Sequence, residues 1–197
     1  MHLNKTITFS GLFILIILLA MTACTSPEAE QNQEETKEET TAPPTDEKAN
    51  RASPPKVFED SIQGVYVRVD YSSPGVKGRK VWGELVKYND VWRTGANEAT
   101  TILVDKPVLI SGQPLPAGRY AFFTVPQPDQ WTIIFNAEPD QWGAFEYNKD
   151  QDIVRVNVKP DRSAEVQERM AFLRGKENTV ELAWEYLRIP FAIQPQQ

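Results

Sequence analysis

Histidine and cysteine are almost absent from this 197-residue chain, and where the single copy of each falls matters more than its rarity. His2 and Cys24 both lie within the first 24 residues, so residues 57–197, where a folded body is expected, contain neither an imidazole nor a thiol. That excludes from the body Ser-His-Asp and Cys-His catalysis, Cys/His zinc sites, haem ligation by His or Cys, and disulfides. No cofactor and no metal are expected. Positive charge is also in short supply: 21 Lys and Arg stand against 27 Asp and Glu, a formal net charge of -6. Without a basic stripe to follow a phosphate backbone, nucleic acid is not an expected partner. Carboxylate, lysine, tyrosine and arginine chemistry remains, or recognition without chemistry.

Long apolar runs are confined to the N-terminus. Lys5 precedes an apolar stretch over residues 11–21, and Met21-Thr22-Ala23-Cys24 places small residues before the cysteine. Residues 1–23 therefore read as a secretory leader. The junction resembles a bacterial lipobox, with Met21 where Leu is usual; there the thiol takes a diacylglycerol, the leader is cleaved and the new amine is acylated. The stretch from 7 to 23 is interrupted by Thr8, Ser10, Gly11 and Thr22 and falls short of the roughly 20 residues a spanning helix needs. Each buried methylene of a lipid chain contributes about 0.8 kcal/mol, so two or three chains anchor durably. The expected partner of Cys24 is a membrane. With Ser26 rather than a retention aspartate after the cysteine, the expected location is the outer membrane of a cell envelope.

Residues 24–56 have the composition of a disordered acidic linker. From 25 to 56 they hold eight acids, including Glu28 and Glu30, against four bases, and almost no aliphatic side chain to offset the entropy of ordering. Residues 57–197 alternate with a period of two. Val65, Val67, Val69 and Tyr71 form one such set; Val154, Val156 and Val158 a second; Val180, Leu182, Trp184 and Tyr186 a third. After Tyr186 the parity flips to Leu187, Ile189 and Phe191, which predicts a bulge. Further strands are expected over 100–105, 107–111, 118–126 and 130–136, with turns between them. Residues 163–174 fit a helical stripe through Val166, Met170 and Leu173 or a strand through Met170 and Phe172, and the β surroundings favour the strand. The expected fold is all-β: an antiparallel β-sandwich or jelly-roll-like single domain.

Two stretches carry a resemblance. Residues 70–101 read DYSSPGVKGRKVWGELVKYNDVWRTGANEATT and residues 116–147 read PAGRYAFFTVPQPDQWTIIFNAEPDQWGAFEY. With YSSP, GR, WRTGANEAT, FN and QWG, the chain resembles the bacterial domain-of-unknown-function family 2911 over roughly residues 57–194. The resemblance implies a secreted or lipid-anchored β domain and brings no assigned activity. Arg119 stands where that pattern has a small residue.

The most polar segment between apolar flanks is Arg93-Thr94-Gly95-Ala96-Asn97-Glu98. Its plain reading is a tight turn in which Gly95 and Asn97 take positive φ and Arg93 pairs with Glu98. Its functional reading is a recognition loop: Arg79 and Arg93 grip an anionic group by forked hydrogen bonds, Asn97 and Glu98 read hydroxyls, and Trp92 stacks on an apolar ring face. Of five tryptophans, Trp131 and Trp184 lie in phase with strand cores, whereas Trp82, Trp92 and Trp142 sit in irregular segments as loop anchors or sugar-stacking platforms. Asn148, Asp150 and Asp152 have calcium-loop spacing, but Ile153 and Lys159 replace the required Gly and Glu, so a hairpin turn explains them better. Catalytic residues are not expected. The enzymatic alternative is a glycan hydrolase using Glu84 and Glu98, and Ser72-Ser73 with Lys77 or Lys80 lacks the helical context of a Ser-Lys pair. The expectation is a non-catalytic envelope lipoprotein that binds a glycan, a peptide or a partner protein; a purely structural envelope subunit is the other alternative.

Overall fold

The computed structural model describes residue 48 and residues 50–196; the expected leader, Cys24 and most of the expected linker lie outside the described residues. Ten strands follow in chain order: β1 (Pro55–Ile62), β2 (Val65–Ser72), β3 (Thr101–Val104), β4 (Val108–Ile110), β5 (Gln113–Leu115), β6 (Gly118–Val125), β7 (Trp131–Asn136), β8 (Asp152–Val158), β9 (Asp161–Arg174) and β10 (Thr179–Pro195). Six form one sheet in the order β1-β2-β3-β6-β7-β8, and four form a second in the order β5-β4-β10-β9. Every pairing between these strands is antiparallel. Side chains from both sheets share one core, which makes the expected sandwich.

Alternation explains which way each strand faces. β2 buries Val65, Val67, Val69 and Tyr71 and leaves Tyr66 exposed and Arg68 and Asp70 half-exposed on the other face. Residues 163–174 lie in β9, with Met170 and Phe172 buried and Val166 exposed, so the strand reading holds. The bulge in β10 is centred on Glu185, whose φ is 51°, with register shifts on either side. It comes one residue earlier than the sequence parity suggests, so Tyr186 turns outward; Ala183, before the bulge, is buried as well as its neighbours Leu182 and Trp184. Further along, β10 leaves β9 after Arg188 and joins β4 from Ile193; Pro190, which has no N–H to donate, lies between the two pairings.

Two strands had no periodic signature. β1 is an edge strand with only Phe58 and Ile62 facing the core, and β5 is three residues long. Edges tolerate polar side chains because one flank of the backbone meets water. Ordered structure consequently begins before the expected boundary at 57. Pro55 pairs with Ser72, and the Ser73 N–H donates to Pro54 O at 2.9 Å.

The connection from β2 to β3, residues 73–100, is long for a segment without named strands, and tryptophan holds it down. Trp82 and Trp92 project from it onto Trp131 of β7 and Trp184 of β10. Trp82 meets the other three edge to face, at centroid distances of 5.9, 5.0 and 5.5 Å, and Trp92 stacks on Trp184 at 5.8 Å. Trp82 and Trp92 are thus loop anchors packed against the core. Replacing Trp82 by Ala should destabilise the domain by about 3–5 kcal/mol in urea titrations, the range for a buried indole. Trp142→Ala, at a half-exposed position, should stay within about 0.5 kcal/mol.

Candidate functional site

The outer face of the six-stranded sheet is wet at one end and dry at the other. At the dry end, a flap over residues 137–151 between β7 and β8 covers a small apolar cluster of Ala99, Ala121, Phe123 and Ile134, onto which Ala144 and Tyr147 pack. Polar bonds fix the flap's return to the sheet. Tyr147 OH donates to Asp152 Oδ2 at 2.6 Å, Asn136 Nδ2 donates to Asp152 Oδ1 at 2.9 Å and to Asn148 O at 2.9 Å, and Arg155 pairs with Asp152 at 2.6 Å. Burial, and then the Asp152 carboxylate, push the Tyr147 phenol up to about 12, so it is a neutral donor. The Asn148-Asp150-Asp152 spacing is absorbed in this hinge: Asn148 caps the short turn by accepting from the Asp150 N–H.

Beside the flap lies a cleft of about 650 Å³. Outward residues of four adjacent strands make its floor: Val57 of β1, Asp70 of β2, Thr101 of β3 and Arg119 of β6. Residues 139–142 of the flap form one wall, and Glu98, bridged to Trp142, continues it with Arg51 and Lys48. Trp142, 54% exposed, is held at the rim by an antiparallel bridge to Glu98, with the Ala99 N–H donating to Gln141 O at 3.0 Å and the Gly143 N–H to Asn97 O at 3.1 Å.

Every carboxylate in the cleft already has a cation. Arg68 grips both Asp70 oxygens, at 2.8 and 2.7 Å, and Arg119 reaches Asp140 at 2.8 Å. Arg51 Nη1 donates to both Glu98 oxygens, at 2.9 and 2.8 Å, while Lys48 Nζ lies 3.2 Å away. Partial burial pushes the Glu98 carboxyl up, but hydrogen bonds from Arg51, its own backbone N–H and Lys48 outweigh burial and hold it below its ordinary value. A glycosidase acid needs the opposite, a proton retained at neutral pH.

Of the six residues expected to bind a ligand, the cleft brings together Glu98 and Trp142, and Ser72 also lines it. Asn97 stands next to it as a tie: at φ 58°, its Nδ2 donates to Ser53 O and Ser72 Oγ, both at 3.2 Å. Trp92 is in the indole cluster and donates through Nε1 to Gly95 O. Arg79 folds back on its own loop, donating to Gly75 O at 2.6 Å and Val76 O at 3.1 Å. The expected Arg93–Glu98 pair does not form. Thr94 and Asn97 both take positive φ between them, and Glu98 faces Arg51 instead. Arg93 Nε is buried without a hydrogen-bond partner among the described residues, and burial lowers the pKa of its guanidinium. Gly95 has no positive φ either. It is required for space, since a Cβ there would sit 3.0 Å from Ser72 O and from Thr100 Oγ1.

The other chemical candidates are engaged elsewhere. Glu84 pairs with Lys80 at 3.0 Å and does not line the cleft, and Ser73 Oγ donates to Met170 O at 2.7 Å. Among the described residues no group of three or more His, Cys, Asp or Glu is placed to hold a metal, and no helix is long and apolar enough to cross a membrane. Sequence reading missed Lys48 and Arg51, assigned to the linker, and Arg119 and Asp140. Only Asp70 had a signal, its outward place in the β2 alternation.

The sign of the Glu98 shift makes a pH prediction. A lowered carboxyl stabilises Arg51 docking in full above the ordinary glutamate value of 4.5, and the contribution is lost as pH falls through the lower folded-state value. The indole N–H signal of Trp142, over which Arg51 lies, should therefore hold still in mild acid and move only below that range, as Arg51 undocks. In Glu98→Gln that acid-dependent movement should vanish.

No curated protein and no solved structure matches the chain. The family described as "Protein of unknown function (DUF2911)" matches residues 53–193, a span that begins just before β1 and ends within β10. The chain belongs to that family.

Proposed function

We propose that this chain is an envelope lipoprotein whose β domain is a non-catalytic binding module, with a glycan as the ligand of the cleft beside Trp142. The observation that carries the reading is a half-exposed indole at the rim of a cleft floored by Asp70, Thr101 and Arg119. Saccharides are bound by that combination: an apolar ring face against an aromatic side chain, and hydroxyls against planar charged groups already fixed by partners. The paired state of all three cleft acids supports binding over hydrolysis, since each carboxylate is already engaged by a cation. Acylation at Cys24, an acidic tether after it and an outer-membrane location complete the proposal, supported by the leader pattern and by Ser26.

Titration with soluble cell-wall glycan fragments, followed by tryptophan emission, tests it. Wild type should bind without releasing hydrolysis products, and Trp142→Ala should weaken binding about tenfold or more, as loss of a central aromatic contact does. Equal binding by wild type and variant would move the site away from this cleft.

A further inference from the structure

We propose that the corner between Glu98 and Trp142 is a guanidinium-binding site, a receptor for an arginine side chain of another polypeptide that the chain's own Arg51 fills in cis. Arg51 sits between the two groups that suit a guanidinium best. On one side its Nη1 bonds both carboxylate oxygens of Glu98, and on the other its Cζ lies 5.9 Å from the centre of the Trp142 ring.

The receptor is built without help from its occupant. The backbone bridge between residues 98 and 142 and the two hydrogen bonds flanking it set the carboxylate and the indole in place, and the flap carrying Trp142 is pinned separately through Asp152. The occupant is equally dispensable to the fold. Residues 52–54 are held independently, with Ala52 O accepting from Arg169, Ser53 O from Asn97 and Pro54 O from the Ser73 N–H. Arg51 therefore behaves as a tethered ligand on a preformed site, and it adjoins the segment expected to link the domain to a membrane.

A contact made in cis competes at an effective concentration of about millimolar. It shuts out weak free cations but yields to a polypeptide that adds contacts of its own, and the open cleft beside the corner leaves room for residues flanking the incoming arginine. The proposal needs only this corner, and it stands or falls apart from the glycan reading because the probe is different.

The test uses the full chain, the capped peptide acetyl-Gly-Arg-Gly-amide and the indole N–H signal of Trp142 in nitrogen-15 NMR. In Arg51→Ala the signal should shift saturably, with an apparent Kd at least about tenfold lower than in wild type, the advantage lost with the cis competitor. The citrulline peptide, isosteric but uncharged, should leave the signal in place, and so should the arginine peptide with Arg51→Ala/Glu98→Gln. Equal responses from wild type and Arg51→Ala, no shift in a folded Arg51→Ala, or equal shifts with the citrulline peptide would each overturn the proposal. Arg51→Gln gives the same readout should the alanine variant fail to fold.

Discussion

Four indoles packed at one end of the sandwich hold the rest of the molecule in place. Trp131 and Trp184 belong to opposite sheets, while Trp82 and Trp92 come from the long β2–β3 connection, so one cluster joins both layers and the segment between them. Among the described residues the indole N–H groups of Trp82, Trp131 and Trp184 have no hydrogen-bond partner, a penalty that is offset by large apolar burial and by edge-to-face ring geometry. Because the connection is anchored this way, its last turn has a fixed address. Glu98 can then meet a flap residue 44 positions further along the chain.

The last turn of the connection also shows how local strain is contained. Thr94, a β-branched residue, sits at φ 53°, and its hydroxyl is bonded to Thr124 Oγ1 at 3.0 Å while its carbonyl accepts from Thr100 Oγ1 at 2.7 Å. Gly95 lets the β2 end approach where no side chain would fit. The polarity that drew attention to this segment in the sequence therefore has two sources. Thr94 and Asn97 tie the segment's backbone to Thr124, Ser53 and Ser72, whereas Glu98 faces the cleft and meets the charged groups of Arg51 and Lys48.

Electrostatics separates this cleft from a catalytic one. Its acids are each satisfied by arginine or lysine, and the best-connected of them is held more acidic than usual. Carboxylates tied to cations in this way are fixed in position, which suits recognition, and the lowered Glu98 carboxyl opposes proton donation. The same pairing means that a cationic partner would have to displace a resident cation, so the N-terminal segment and the cleft share one set of contacts.

Much of the architecture was legible because burial on one face of a strand imposes a period of two, and β2, β8 and most of β10 carry it plainly. β1 was not, because an edge strand with two inward side chains leaves no pattern to read. The bulge was visible as a parity change, but its centre depended on where β9 changed register. Trp142 and Glu98 could be singled out as residue types, while Arg51 looked like part of a solvated tether, since nothing local marks a residue whose partner is 47 positions away. Composition and alternation by themselves determined the fold class, the absence of imidazole and thiol from the body, and the family signature, because these depend on residue identity and near neighbours alone. Which charged groups meet, and whether the loop indoles Trp82, Trp92 and Trp142 face core or solvent, only the tertiary structure decided, because those contacts are made between segments far apart in the chain.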